Sequence, residues 1–120
     1  MKFMLLVYAE ADAWEAEARK QAMKESIALC YELDAEGEYC SAAPLQPVTT
    51  SVSVRVREGE AFITDGPFAE TTEHLGGYFL VDVENIEAAI AVARRIPGAR
   101  VGTVEVRPIV ELDNLPESKS

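Results

Sequence analysis

The sequence predicts an α+β domain: a four-stranded sheet with two helices on one face and a β-hairpin inserted between its two halves. Three observations predict it. Stretches 2–8, 39–46, 51–57, 61–64, 78–83 and 101–109 carry the β-branched, aromatic and alternating residues of strands. Stretches 12–36 and 85–96 repeat apolar side chains at the 3.6-residue period of a helix. With the hairpin set aside, the order is β-α-β-β-α-β, the ferredoxin-like arrangement. A chain of 120 residues, 48% hydrophobic and 27% charged, has the composition and size of one globular domain.

Each element has a local reason. Lys2–Tyr8 puts Phe3, Leu5 and Val7 on one side and Met4, Leu6 and Tyr8 on the other, so this strand is apolar on both faces. Asp12–Glu36 reads as the first helix. Asp12 and Glu15 have the form of a capping box, Met23, Ile27, Cys30 and Leu33 follow the period, and Gly37 supplies the stop. Tyr39–Gln46 is a short strand limited by Pro44 and Pro47. Ser51–Arg57 alternates, with Val52, Val54 and Val56 expected against a core and Ser53, Arg55 and Arg57 facing water or a cleft. Glu58-Gly59 turns that strand into Ala61–Thr64, which Asp65-Gly66-Pro67 ends. Gly76-Gly77 opens Tyr78–Val83, again apolar on both faces. Asn85–Ile96 is expected to bury Ile86, Ala89, Ile90, Ala93 and Ile96, with Arg94 and Arg95 at the end the helix dipole makes favourable for cations. Val101–Ile109 is the last strand. One domain, 1–112, precedes a frayed tail, 113–120. Two helices cover only one face of this sheet. The second apolar face requires a partner, and a two-fold homodimer with opposed sheets is the simplest.

Eleven Lys and Arg against 21 Asp and Glu give a net charge of −10. That balance argues against a nucleic-acid partner and against docking on an anionic membrane. The apolar run Phe3–Ala9 is too short to span a bilayer, and the polar sequence from Glu10 makes a poor secretory signal, so a cytoplasmic protein is expected. Cys30 and Cys40 match no zinc spacing. They read as two reduced core thiols, with a helix-to-strand bridge as the alternative.

Thr64-Asp65-Gly66-Pro67-Phe68-Ala69-Glu70-Thr71, followed by Glu73 and Leu75-Gly76-Gly77-Tyr78, resembles the YCII-related family with the DGPF motif. Phe3–Tyr8, Leu45-Gln46-Pro47 and Gly102–Pro108 are similar to it too, so the resemblance spans about residues 2–110. It implies a ferredoxin-like fold in the dimeric α/β-barrel group, whose wider membership includes isomerases, cofactor-free monooxygenases and haem enzymes, and it implies no established reaction. One branch of the family carries a His on the first helix paired with an Asp. This sequence has no His between residues 12 and 36, so that dyad does not carry over. Thr72 stands where the family commonly has Lys. Members are often encoded beside genes for alternative sigma factors, which implies a non-catalytic regulatory or interaction module as the alternative function.

The residues themselves leave two readings of the motif. Asp65-Gly66-Pro67-Phe68 makes sense as a rigid turn, with Phe68 plugging the rim of the core. Asp65 also suits a fixed carboxylate at a cleft mouth, as ligand anchor or general base. His74 is the sole histidine. It forms an acid–base pair with Asp65 or Glu70 if the loop holding Glu70, Glu73 and His74 folds back. Arg55 and Arg57 share a face and read as solvated charges or as a clamp for a carboxylate or phosphate. Tyr8, Gln46 and Tyr78 offer polar tips to a cleft wall. No metal-ligand spacing, phosphate loop, dinucleotide fingerprint or nucleophile elbow is present, so no cofactor is expected. The combined expectation is a homodimer that binds a small organic ligand between helices and sheet near Asp65. Any chemistry there would be that of a cofactor-free lyase or isomerase, with Asp65 as base or anchor and His74 as acid.

Overall fold

Alternation along the first strand organises the molecule. In the computed structural model, which describes residues 1–68 and 71–117, β1 (Lys2–Ala9) is an inner strand. The sheet runs β2-β5-β1-β6, with β2 at Tyr39–Pro44, β5 at His74–Asp82 and β6 at Thr103–Pro108. Each neighbouring pair is antiparallel, and the order is compatible with the ferredoxin-like arrangement. Phe3 and Leu5 of β1 and Phe79 and Val81 of β5 form the core face. Leu29 and Leu33 of α1 (Ala16–Ala35) and Ala89, Val92 and Ala93 of α2 (Ile86–Ala93) close over it, so both helices share that face. Met4, Leu6 and Tyr8, with their cross-strand neighbours Tyr78 and Leu80, lie on the opposite face and stay only half-buried.

The helix ends follow their sequence signals unevenly. Gly37 adopts φ +77 and donates to Asp34 O, while Glu38 donates to Leu33 O, the pairing of a Schellman motif. Asn85 caps α2 by accepting from Ala88 N at 2.9 Å. At the start of α1 the expected capping box does not form. The helix begins at Ala16 with Glu15 as N-cap and no side-chain cap bond, because little packing holds the Ala- and Glu-rich turn before it. α2 ends at Ala93, so Arg94 becomes the C-cap and neither arginine lies in the last turn. Ile86 and Ile90 are exposed where burial was expected; α2 instead lays Ala89, Val92 and Ala93 on the sheet, where small side chains permit close approach. On α1, Met23 and Ile27 are likewise exposed.

Three further expectations change. β5 begins at His74, not Tyr78, so His74 pairs with Ala9 on a strand, and Gly76-Gly77 lie inside that strand at a bulge. Cys40 is exposed rather than in the core, because the edge strand β2 is irregular between Tyr39 and Ser41; both thiols are free. Phe68 is 77% exposed and plugs nothing.

The largest departure is the hairpin. β3 (Val52–Arg57) and β4 (Glu60–Asp65) form a separate two-stranded sheet. Glu58 (φ 51) and Gly59 (φ 81) make the expected two-residue turn. Yet Val52, Val54 and Val56 are 58%, 64% and 60% exposed, so the core they were expected to face is missing within the chain. Alternation fixes which side chains share a face; it does not say what covers them. The hairpin stands off the rest, and the radius of gyration is 16.1 Å. A compact chain of this length has about 14 Å.

The two flanks of α1 make a direct test. Leu33→Ala, at a fully buried site, should cost about 2–5 kcal/mol in denaturant unfolding. Ile27→Ala, on the exposed flank, should cost less than about 1 kcal/mol.

Candidate functional site

Helix α1 carries three kinds of side chain on three sides. Ala22, Leu29 and Leu33 face the sheet. Glu25 and Glu32 lie on one flank, where Arg100 Nη2 meets Glu25 Oε2 at 2.7 Å and Arg95 Nη2 meets Glu32 Oε2 at 2.8 Å. Glu36 adds a longer pair to Arg95, and the two carboxylates push the Arg95 pKa further up. Exposed pairs of this kind contribute little energy but tie the helix to the segment after α2. Met23, Ile27 and Tyr31, four residues apart, form the other flank and lean over open space.

That space is a cleft of about 850 Å³ between α1 and the β2–β5 side of the sheet. Its walls are apolar: Trp14, Met23, Ile27, Leu45, Val48 and Phe79 all line it. Gly77 leaves its floor bare. A Cβ there would stand 2.9 Å from Ala43 O, so no larger residue fits without moving β2. A few polar groups converge on it: Arg19, Ser26, Asp34, Tyr39, Gln46 and His74. Concave, apolar and sparsely polar is the usual character of a small-molecule site.

The polar groups are held in defined states. Burial pushes the Cys30 thiol above its ordinary value, and burial likewise pushes Tyr39 up, with Cys30, Tyr78 and Asp34 adding to the rise. Both therefore stay neutral at pH 7. Thr71 Oγ1 donates its proton to Glu73 O at 2.7 Å. The same hydroxyl lies 3.4 Å from His74 Nδ1.

The structure divides the residues expected at one site. His74, Gln46 and Tyr78 line the cleft; Asp65, Tyr8 and Glu73 do not. Glu70 lies outside the described residues. Arg55 and Arg57 line a separate hollow on the hairpin, of about 460 Å³, with Phe62 and Phe68. Asp65 sits opposite Val52 at the foot of the hairpin. Just after it, Gly66 (φ +89) donates to Ser51 O at 2.8 Å and accepts from Ser53 Oγ at 2.7 Å, which locks the turn. Sequence reasoning missed Trp14, Arg19, Ser26, Tyr31 and Tyr39. The surplus of apolar residues on α1, more than one buried stripe needs, was the available signal, together with paired glycines inside a strand.

Comparison with known proteins agrees in scope. The YCII-related domain matches residues 1–113. An uncharacterized protein of Rhizobium meliloti is 32% identical over 114 residues, covering 91% of this chain and 92% of that relative. No described helix is long and apolar enough to cross a membrane.

The two thiols report on the cleft separately, since Cys30 lines it and Cys40 does not. Iodoacetamide should label the exposed Cys40 first. An apolar probe, 1-anilinonaphthalene-8-sulfonate, at ten times its Kd should slow labelling of Cys30 by about tenfold through mass action and leave Cys40 unaffected. Peptide mass spectrometry reads both rates.

Proposed function

The chain belongs to the YCII-related family, and from that membership, the cleft and the open sheet face we propose a homodimer that binds a small, largely apolar organic ligand and moves a proton on it through His74. The observation that carries the ligand reading is the cleft itself, apolar-walled and with the chain's sole imidazole on its lining. With Nδ1 beside Thr71, Nε2 is the ring nitrogen that takes a proton from the ligand and returns it. Proton transfer beside a carbonyl needs no cofactor, which fits lyase or isomerase chemistry. Arg19 on the same lining suits a carboxylate end of the ligand. Asp65 ends β4 beside the locked DGPF turn and away from the cleft, and Arg55 and Arg57 belong to the hairpin rather than to this reaction. Two free thiols suit a cytoplasmic setting.

The homodimer reading, and with it the dimeric α/β-barrel grouping, rests on the face holding Met4, Leu6, Tyr8, Tyr78 and Leu80. Two ion pairs lie at its border, the Met1 amino group with Asp82 at 3.1 Å and Arg107 with Glu105, and Lys2 adds a cation opposite Asp82. Cations that match or exceed the carboxylates around an apolar centre soften the repulsion between two copies of net charge −10.

Trp14, the single tryptophan, lines the cleft and serves as the reporter. Apolar ketones and 2-oxo acids should quench its fluorescence, and those that bind should exchange carbon-bound protons for solvent deuterium by NMR. His74→Ala should slow that exchange by about 10²–10⁴-fold, the range of general acid–base catalysis, and keep the quenching. A panel in which no compound quenches Trp14 rejects the ligand reading. Quenching with exchange unchanged in His74→Ala rejects the role of the histidine.

A further inference from the structure

We propose that the β3–β4 hairpin is an arm that docks its valine face on a second copy of the chain. The inference rests on the homodimer reading above and deepens it by naming the segment that holds the partner. Cross-strand register places Val54 opposite Ile63 and Val56 opposite Ala61, so one face of the hairpin is a continuous apolar strip. Within one chain that strip meets nothing: Val54 is 64% and Ile63 70% exposed. The reverse face carries Ser53, Arg55, Arg57, Glu60 and Thr64 around a single aromatic, Phe62, and is the more polar of the two. A two-stranded hairpin with no third strand and no helix against it is marginal in water. The ladder of six paired positions therefore needs something to pack on.

A second copy is the occupant the chain's own surfaces favour. The arm, residues 52–65, holds two arginines against three carboxylates, so it is close to neutral in a chain of −10 and is not repelled by an identical acidic molecule. The same chain presents another apolar surface that neither helix covers, the open sheet face. A two-fold axis doubles every contact, so an arm that reaches the partner contributes twice. The arm thus extends the sheet-to-sheet contact towards the area of about 800 Å² per partner that a stable dimer needs. The valine face docks and the arginine face stays outside, because burying two unpaired guanidinium groups is costly.

The test uses the full chain. Val54→Asp and Ile63→Asp should each raise the dimer dissociation constant by about tenfold or more in sedimentation equilibrium, as loss of a central apolar anchor does. Thr64→Asp, on the reverse face, should leave it unchanged. Circular dichroism of the variants should match the wild type, since neither site touches the core. In the wild type, hydrogen exchange at the amides of 52–57 and 60–65 should slow as protein concentration rises through the dissociation constant. A wild type that dimerises with hairpin exchange independent of concentration, and with Val54→Asp and Ile63→Asp equally tight, overturns the arm and leaves the homodimer standing. A wild type that stays monomeric overturns both.

Discussion

A four-stranded sheet with apolar side chains on both faces cannot be closed by two helices. Phe3 and Leu5 lie on one face of β1, and Met4, Leu6 and Tyr8 lie on the other. α1 and α2 are both drawn to the first face, where Phe79 and Val81 complete the core. The open second face and the bare hairpin follow from that one-sided coverage. The second face is left half-buried, and the hairpin, inserted between the two halves of the sheet, is left with no core beneath it.

The cleft has a different origin in the same helix. α1 is pulled down by Leu29 and Leu33 and tied on one flank by ion pairs to Arg95 and Arg100. Its remaining flank is apolar and has nothing to pack on. Three apolar residues spaced for one side of a helix, kept open by glycine on the strand below, leave room for a guest. His74 reaches that room only because β5 starts earlier than its apolar run, on the far side of a bulge.

This explains what was readable in the sequence and what was not. Lys2–Tyr8, the Gly37 stop and the Glu58-Gly59 turn are decided by neighbours a few residues away, and each was legible. The fates of Val52, Val54 and Val56 were not, because alternation marks an apolar face without naming its partner. The period of α1 was legible; the side on which Met23 and Ile27 would lean was not, because the helix's roll is set by the packing of Leu29 and Leu33 on strands distant in the chain. Asp65 and His74, nine residues apart, look like neighbours in the sequence; the hairpin foot and the strand carry them to different surroundings.

The uncharacterized Rhizobium meliloti relative spans nearly its whole length against this chain, so any role found for the cleft bears on it as well. The account turns on the uncovered sheet face. Sedimentation equilibrium of the wild-type protein at micromolar concentration tests it most directly. Twice the chain mass of 13.1 kDa is the predicted species, and a natively folded 13.1 kDa particle under those conditions contradicts it.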